Sequence, residues 1–243
     1  MAESNSRWGY DRIQGALANL GYKIAPNTVK RILKNHGIEP APLRRGKTTW
    51  AQFLRTHWDT LAGADFFTTE IWTPVGLVTF YVFFVIQLKT RRVYLSTPTP
   101  NPDRVFMKQV ALDVAAFDDS FIRGYSHLII DRDSKYTTAF REILKENGVD
   151  VIPIPPKYPN CNPHAERFVR SLKEECLDRM ILFGRNALER ALREYRLHYL
   201  RERNHQGADN TLLESLPNDV GGPRVECRER LGGLLRYYHR SAA

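Results

Sequence analysis

The chain has 243 residues, 42% of them apolar and 11% aromatic, which excludes a disordered polymer and admits one sizeable core with a small appendage, or two modest domains. Its 36 lysines and arginines against 27 aspartates and glutamates leave a formal charge of +9, so polyanions are natural partners. Cys161, Cys176 and Cys227 are too scattered for a disulfide framework, and the lack of a CxxC pair argues against a zinc knuckle.

The opening MAESNSRWGYDR lacks the apolar run of a secretory signal. Residues 9–37 then carry two short helical patterns. Tyr10, Ile13, Leu17 and Leu20 form the apolar stripe of the first, with Gly21 placed to stop it. Val29, Ile32 and Leu33 form that of the second, which Pro26 starts and Gly37 closes. Lys23, Lys30, Arg31 and Lys34 fall on the outer faces. Two helices joined by a short turn fit either a helix-turn-helix or a plain helical hairpin. The following IEPAPLRRGKTT, residues 38–49, combines prolines with Arg44, Arg45 and Lys47 and reads as a basic linker at a domain boundary.

From Leu61 the pattern changes to strands: LAGADFFTTEIW, LVTFYVFFVIQL and RRVYLSTP, joined by short turns and therefore antiparallel. The longest apolar run, Val75 to Leu88, is shorter than the roughly 20 residues a membrane-spanning helix needs. Its β-branched and aromatic content predicts a buried strand, and a soluble, intracellular protein is expected. A helix follows with Phe106, Val110, Val114 and Phe117 on one face, then the strand HLIID (127–131), the helix TTAFREILKENG (137–148) and the strand VDVIPI (149–154). The last two strands should run parallel through a right-handed crossover. Asn162 and Pro163 start a further helix with Ala165, Phe168, Val169, Leu172 and Cys176 as its core stripe. Another spans residues 185–203 on Leu188, Leu192, Tyr195 and Tyr199, and the sequence from Gly207 onward reads as irregular until a basic, aromatic end.

Three carboxylates stand out. Asp65 lies inside an apolar strand, where an unpaired carboxylate is costly and calls for a cation or a hydrogen-bond role. Asp131 ends an apolar strand, a common place for chemistry in α/β sheets, and Glu166 falls in the first turn of a helix. Taken singly, each has a plain structural reading: a bulge, a turn, or a charge that suits the helix dipole. Together they form an all-oxygen donor set of the kind Mg²⁺ accepts while keeping several waters.

The words around these acids carry a specific resemblance: GADFF at 63–67, IIDRDSKYTTAF at 129–140, and YPNCNPHAERFVRSLKEECL at 158–177. The chain resembles the DDE transposase and retroviral integrase superfamily, in particular bacterial insertion-sequence transposases, over about residues 8–210. The 34 residues between Asp131 and Glu166 are close to the family's spacing, and His205-Gln206-Gly207 resembles its closing element. Asp133 stands where the family word usually has glycine, so it is the alternative to Asp131 as the second acid; Asp131 is preferred because it ends the strand.

The resemblance implies an α/β fold, a ribonuclease-H-like core built on a mixed five-stranded sheet with flanking helices, preceded by a small helix-turn-helix. It implies a helix-turn-helix segment at 1–37, with further such sequence preceding it in relatives, a linker at 38–58, a catalytic core at 59–206 and a basic tail at 207–243. It also implies metal-dependent DNA strand cleavage and strand transfer, with Asp65, Asp131 and Glu166 holding two Mg²⁺ or Mn²⁺ ions. The partners implied are double-stranded DNA, both element ends and target, and further copies of the chain on that DNA; no membrane is involved, and the place of action is the bacterial cytoplasm and nucleoid. Arg170 and Lys173 share a helix face with Glu166 and are the first candidates for DNA contact, followed by Asn160 and Asn162, with Lys135 and Tyr136 weaker. Beside the catalytic words, the helix-turn-helix reading of 9–37 is preferred, with Asn27, Lys30, Arg31 and Lys34 as readers and Val29, Ile32 and Leu33 facing inward. Two alternatives remain: an inactive transposase-derived DNA-binding protein, and a ribonuclease-H-like nuclease acting on hybrids.

Overall fold

The computed structural model describes residues 1–5, 8–38, 50–117, 119–154, 163–214 and 224–241, in two compact units, Met1–Thr56 and His57–Ala243. The expected readers Asn160 and Asn162, and most of the expected linker, lie outside the described residues.

The first unit holds α1 (Tyr10–Asn19), α2 (Pro26–Asn35) and α3 (Trp50–His57), the last of which falls within the stretch read as linker. Ile13, Val29 and Leu33 bury against Ala2, with Trp8, Tyr10, Leu17 and Ile24 around them. Both glycine stops act as expected. Gly21 (φ 87°) and Gly37 (φ 66°) take the left-handed conformation, and the next residue's N–H bonds back to Leu17 and Leu33 respectively, capping the orphan carbonyls. Two expected core residues are not in the core. Leu20 is 64% exposed because the helix ends at Asn19 and the chain turns away before the stripe is complete. Ile32 is 45% exposed, because a pair of short helices covers only the narrow stripe through Val29 and Leu33.

In the second unit, β1 (Leu61–Thr73), β2 (Gly76–Gln87), β3 (Val93–Leu95), β4 (His127–Ile130) and β5 (Asp150–Pro153) form one sheet in the order β3-β2-β1-β4-β5. The β1–β2 and β2–β3 pairs are antiparallel; β1–β4 and β4–β5 are parallel. This is the mixed five-stranded sheet of a ribonuclease-H-like core. Helices α4 (Arg104–Ala115) and α5 (Thr138–Glu146) cover one face, where Ala62, Ala64, Phe83, Val85, Leu128 and Ile130 meet Met107, Val110 and Phe140. On the other face Phe67, Phe84 and Phe168 stack in sequence, and Phe168 meets Tyr195 and Tyr199, so α6 (Pro163–Glu175) and α7 (Gly184–Arg201) lie there. Burial on both sides explains why Val82 to Ile86 reads as an unbroken apolar run without alternation. Phe117, expected on the buried face of α4, is 55% exposed, since the helix ends at Ala115 and its periodicity no longer applies.

The basic, aromatic carboxyl end, to which the sequence assigns no element, forms a hairpin: β6 (Arg224–Arg230) pairs antiparallel with β7 (Leu235–Ser241). Leu231, Gly232 and Gly233 all have positive φ in the connecting turn, which the adjacent glycines ease. The hairpin is tied to the end of α7, where Glu202 accepts hydrogen bonds from Arg230.

Candidate active site

The parallel ladder between β1 and β4 ends at the pair Gly63–Ile129. Asp65 and Asp131 each lie two residues beyond that pair, so the two acids leave the ladder side by side. The period-2 alternation places Asp65 with Gly63 and Phe67, on the face that α6 covers. Phe168 on α6 packs on Phe84, the strand partner of Asp65, and Glu166 precedes it by two residues in the first turn of that helix. The same apolar pattern that docks α6 thus brings its first-turn acid toward the strand acids.

The electrostatics record this convergence. Burial raises the Asp65 carboxyl to about 6; its bond from the Phe66 N–H (2.7 Å) works in the opposite direction, and Asp131, Glu166 and Asp133 push further upward, in that order. Asp133 is committed elsewhere: it pairs with the Lys135 ammonium and accepts the Lys135 N–H at 2.9 Å. Burial alone would raise Asp133, but Lys135 holds it below its ordinary value. Asp131 accepts only the Asp133 N–H, at 3.1 Å, among the described hydrogen bonds. Glu166 is exposed.

Tyr136, a weaker candidate for DNA contact by sequence, is buried close to the acids in the chain. It is 4% exposed, and its hydroxyl has no hydrogen-bond partner within the described residues. Burial raises its pKa, and Asp131, Asp65 and Asp133 raise it further, which places a buried donor in the field of the acids. The Lys135 ammonium sits 5.5 Å from the ring centres of both Phe66 and Tyr81.

This donor set fits a hard divalent cation in chemistry and charge: all-oxygen carboxylate donors, one of which, Asp65, has its pKa raised by burial and by the other two. Among the described residues, no three His, Cys, Asp or Glu side chains stand close enough to cage a metal as they are placed. Mg²⁺ accepts two carboxylates and completes its shell with water, so a preassembled cage is not required of these residues.

Of the candidate DNA contacts, Arg170 is exposed and Lys173 half-buried on the Glu166 helix. Lys30, Arg31 and Lys34 are exposed on α2, in the other unit. Sequence reasoning missed a basic cleft of about 330 Å³ between the β2–β3 turn, α6 and the end of α7, to which Arg91, Arg167 and Arg203 all contribute. Its residues are far apart in sequence, and only the His205-Gln206-Gly207 word gave any signal of it.

Residues 147–211 match the integrase core domain family. The matched stretch contains Glu166, Arg170, Lys173 and the carboxyl-terminal part of the basic cleft, whereas Asp65 and Asp131 precede it. It supports the resemblance to the transposase and integrase superfamily. Solved structures with a similar chain trace include the following integrases. One is a simian T-cell lymphotropic virus intasome in complex with a PP2A regulatory subunit (14% identity, 75% of this chain and 67% of that chain, TM-score 0.46). Another is the catalytic core domain of BIV integrase (16% identity, 61% and 88%, TM-score 0.44). A third is the HTLV-2 integrase catalytic core domain in complex with magnesium (10% identity, 58% and 86%, TM-score 0.39). No curated protein is similar to the chain in sequence. Among the described residues, no helix is long and apolar enough to cross a membrane.

Proposed function

We propose that the chain is a DNA transposase or integrase, a polynucleotidyl transferase that cleaves DNA at element ends and joins them to target DNA. The observation that carries this reading is geometric: Asp65 and Asp131 leave the β1–β4 ladder side by side, and the docking of α6 through Phe168 on Phe84 carries Glu166 in its first turn. Asp65, Asp131 and Glu166 would hold two Mg²⁺ or Mn²⁺ ions. When bound, such ions supply Lewis-acid activation of the attacking oxygen and charge stabilisation of the leaving 3′-oxygen.

The protein's own residues position and neutralise. The rigid β1–β4 pair fixes Asp65 and Asp131 relative to each other, and the docked α6 fixes Glu166 against them. Asp131 is the second acid in this reading, because Asp133 is paired with Lys135 and its charge is already answered. Tyr136 offers a buried O–H donor to an oxygen bound at the acids. Arg170 and Lys173, one and two turns along α6 from Glu166, would neutralise backbone phosphates of a duplex laid across that face. Double-stranded DNA and further copies of this chain on it are the partners, and the bacterial cytoplasm and nucleoid the setting. The exposed face of α2 would read sequence through Asn27, Lys30, Arg31 and Lys34.

The test is cleavage of a labelled duplex by full-length protein with Mg²⁺ or Mn²⁺. Asp65→Asn, Asp131→Asn and Glu166→Gln should each abolish cleavage and leave duplex binding nearly intact. Loss of activity in Asp133→Asn with activity kept in Asp131→Asn would overturn the assignment of the second acid. Equal inactivity of the unmodified chain on duplex and on RNA–DNA hybrid would favour an inactive DNA-binding descendant; cleavage of the hybrid alone would favour a ribonuclease-H-like nuclease.

A further inference from the structure

The basic cleft beside α6 has no part in the chemistry above, yet its construction is specific. Three guanidiniums from separate parts of the chain line it: Arg91 from the β2–β3 turn, Arg167 from α6 and Arg203 from just beyond α7. Among the described residues no carboxylate lines it. Arg203 is answered from behind by Glu175, with Nη2 at 2.7 Å and Nε at 3.0 Å. Among the described residues neither Arg91 nor Arg167 has a carboxylate partner, and Arg91 donates to the Gly207 carbonyl at 2.6 Å.

The Arg91 position is built at a cost. Its φ is 59°, a left-handed conformation that glycine takes freely and arginine does not, at the point where the chain turns from β2 to β3. Gly207 faces it from the other wall, and a Cβ there would sit 2.7 Å from both terminal nitrogens of Arg91. A glycine that lets a guanidinium approach the backbone, and an arginine where glycine would be easier, together hold one cationic fork in a fixed place. Arg91 and Arg167 converge there as well: beyond burial, these two groups depress the basicity of His164 in the same cleft. The His205 ring is held by the Tyr199 carbonyl, 2.7 Å from its Nε2, and by edge contact with the Tyr199 ring.

We propose that this cleft is a phosphate-binding site, in which Arg91 and Arg167 grip a phosphoryl group and Arg203 completes a positive wall. Guanidinium forks match the oxygens of phosphate in pairs, and two such forks free of carboxylates in a concave, partly enclosed place favour an anion over a cation or an apolar ligand. The cleft lies on the 164–167–171 side of α6, around the helix from the Glu166, Arg170 and Lys173 face, so it is separate from the acids. The phosphoryl group can belong to a nucleic-acid backbone or to a free anion, and the chemistry of recognition is the same for both. The inference does not depend on the strand-cleavage reading, because phosphate binding is measured with no divalent metal and no reaction.

The experiment titrates inorganic phosphate into the full chain by calorimetry, without divalent metal and at fixed ionic strength. Saturable one-site binding is expected, weakened about tenfold in Arg167→Gln and in Gly207→Ala, and unchanged in Lys108→Gln, an exposed lysine on α4. Arg167 is exposed with no partner to lose among the described residues, and Gly207→Ala displaces only the far end of a flexible side chain, so both variants should keep their Tm in chloride buffer. A second titration in the presence of saturating short duplex DNA separates the sources. Phosphate binding that disappears with duplex assigns the cleft to a backbone phosphate; binding that persists assigns it to a free anion. No saturable binding, or equal affinity in the unmodified chain, Arg167→Gln and Gly207→Ala, would overturn the proposal.

Discussion

Arg230 holds Glu202 with two hydrogen bonds, Nη2 to Oε1 at 2.7 Å and Nε to Oε2 at 2.8 Å, and the Glu202 side chain is only 1% exposed. This pair joins the carboxyl-terminal hairpin to the end of α7. Arg228 reaches the same carboxylate at 3.4 Å, His198 adds a 3.3 Å contact from within the helix, and the spare Nη1 of Arg230 bonds Glu194 at 2.8 Å. Burial by itself would raise the Glu202 carboxyl; Arg230, with His198 and Arg228, outweighs it, and the group titrates below its ordinary value.

Because the folded carboxyl is the stronger acid, its contribution to stability is complete above the ordinary carboxylate range and fades as pH falls through the depressed value. Glu202→Gln should leave Arg230 with Glu194 as its remaining carboxylate and destabilise the second unit by about 1–3 kcal/mol at pH 7. Replacing both partners, Glu202→Gln with Arg230→Met, should cost less than the sum of the two single changes, because each single change already breaks the same pair. Thermal unfolding and hydrogen exchange across residues 224–241 measure the two effects. Single and double variants as stable as the unmodified chain would show that the pair does not fasten the hairpin.

Asp65 has the opposite linkage. Its carboxyl holds a proton to about 6 in the folded chain against 3.8 ordinarily, so the native state loses stability as pH rises through that window and stays lower above it. Asp65→Asn keeps the acceptor for the Phe66 N–H and removes the charge. At pH 7 and without divalent metal it should therefore raise stability; allowing for solvent screening the gain is about 1 kcal/mol, or about 2–4 °C in Tm. Near pH 4 the gain should vanish, and Mg²⁺ should stabilise the unmodified chain more than the variant. A pH-independent difference between the two would remove the electrostatic account of the site.

Much of this arrangement can be read in the sequence, and the exceptions have physical causes. The strands of the sheet, the glycine stops at Gly21, Gly37 and Gly148, and the core face of α6 follow from local periodicity and backbone freedom, which are properties of neighbouring residues. Leu20 and Phe117 lie outside the core because periodicity does not state where a helix ends, and Ile32 because it does not state how wide the covered stripe is. The β6–β7 hairpin is charged through most of β6 and mixed polar and aromatic in β7, so it shows no sustained apolar alternation; its anchor at Glu202 lies on another element. The acids are visible as apolar-flanked carboxylates in chain order, but their mutual repulsion depends on the β1–β4 register. The arginine cleft is wholly a product of the fold, since Arg91, Arg167 and Arg203 have no common local pattern.

The outer face of α6 makes a prediction about salt. Arg170 and Lys173 have no described ion-pair partner, so they are free to displace counterions from a DNA backbone. Replacing both with alanine should weaken duplex binding for every sequence alike and lower the slope of log K against log salt by about two. Binding measured by anisotropy over a salt series checks this. An unchanged slope would reduce this face to ordinary solvated surface.

The last prediction concerns how sequence reading and chemistry are divided between the two units. Each unit has its own buried cluster, Ile13, Val29 and Leu33 in one and the sheet with its helices in the other, so a surface change in the first leaves the acids untouched. Phosphate contacts position DNA without reading it, whereas base-edge contacts supply discrimination of about 1–3 kcal/mol each. The side chains of Lys30, Arg31 and Lys34 are exposed on α2 and carry none of its packing, which rests on Val29 and Leu33. Replacing these three with alanine should therefore keep metal-dependent nicking of a random duplex while removing the preference for element-end DNA over it. Competition binding at one fixed salt concentration, run beside the Arg170 and Lys173 variant, separates the two roles: the α2 variant should lose the ratio of affinities, and the α6 variant should lose affinity with the ratio kept. If the α2 variant retains full end preference, residues 10–35 are a structural helical hairpin and recognition belongs to the second unit.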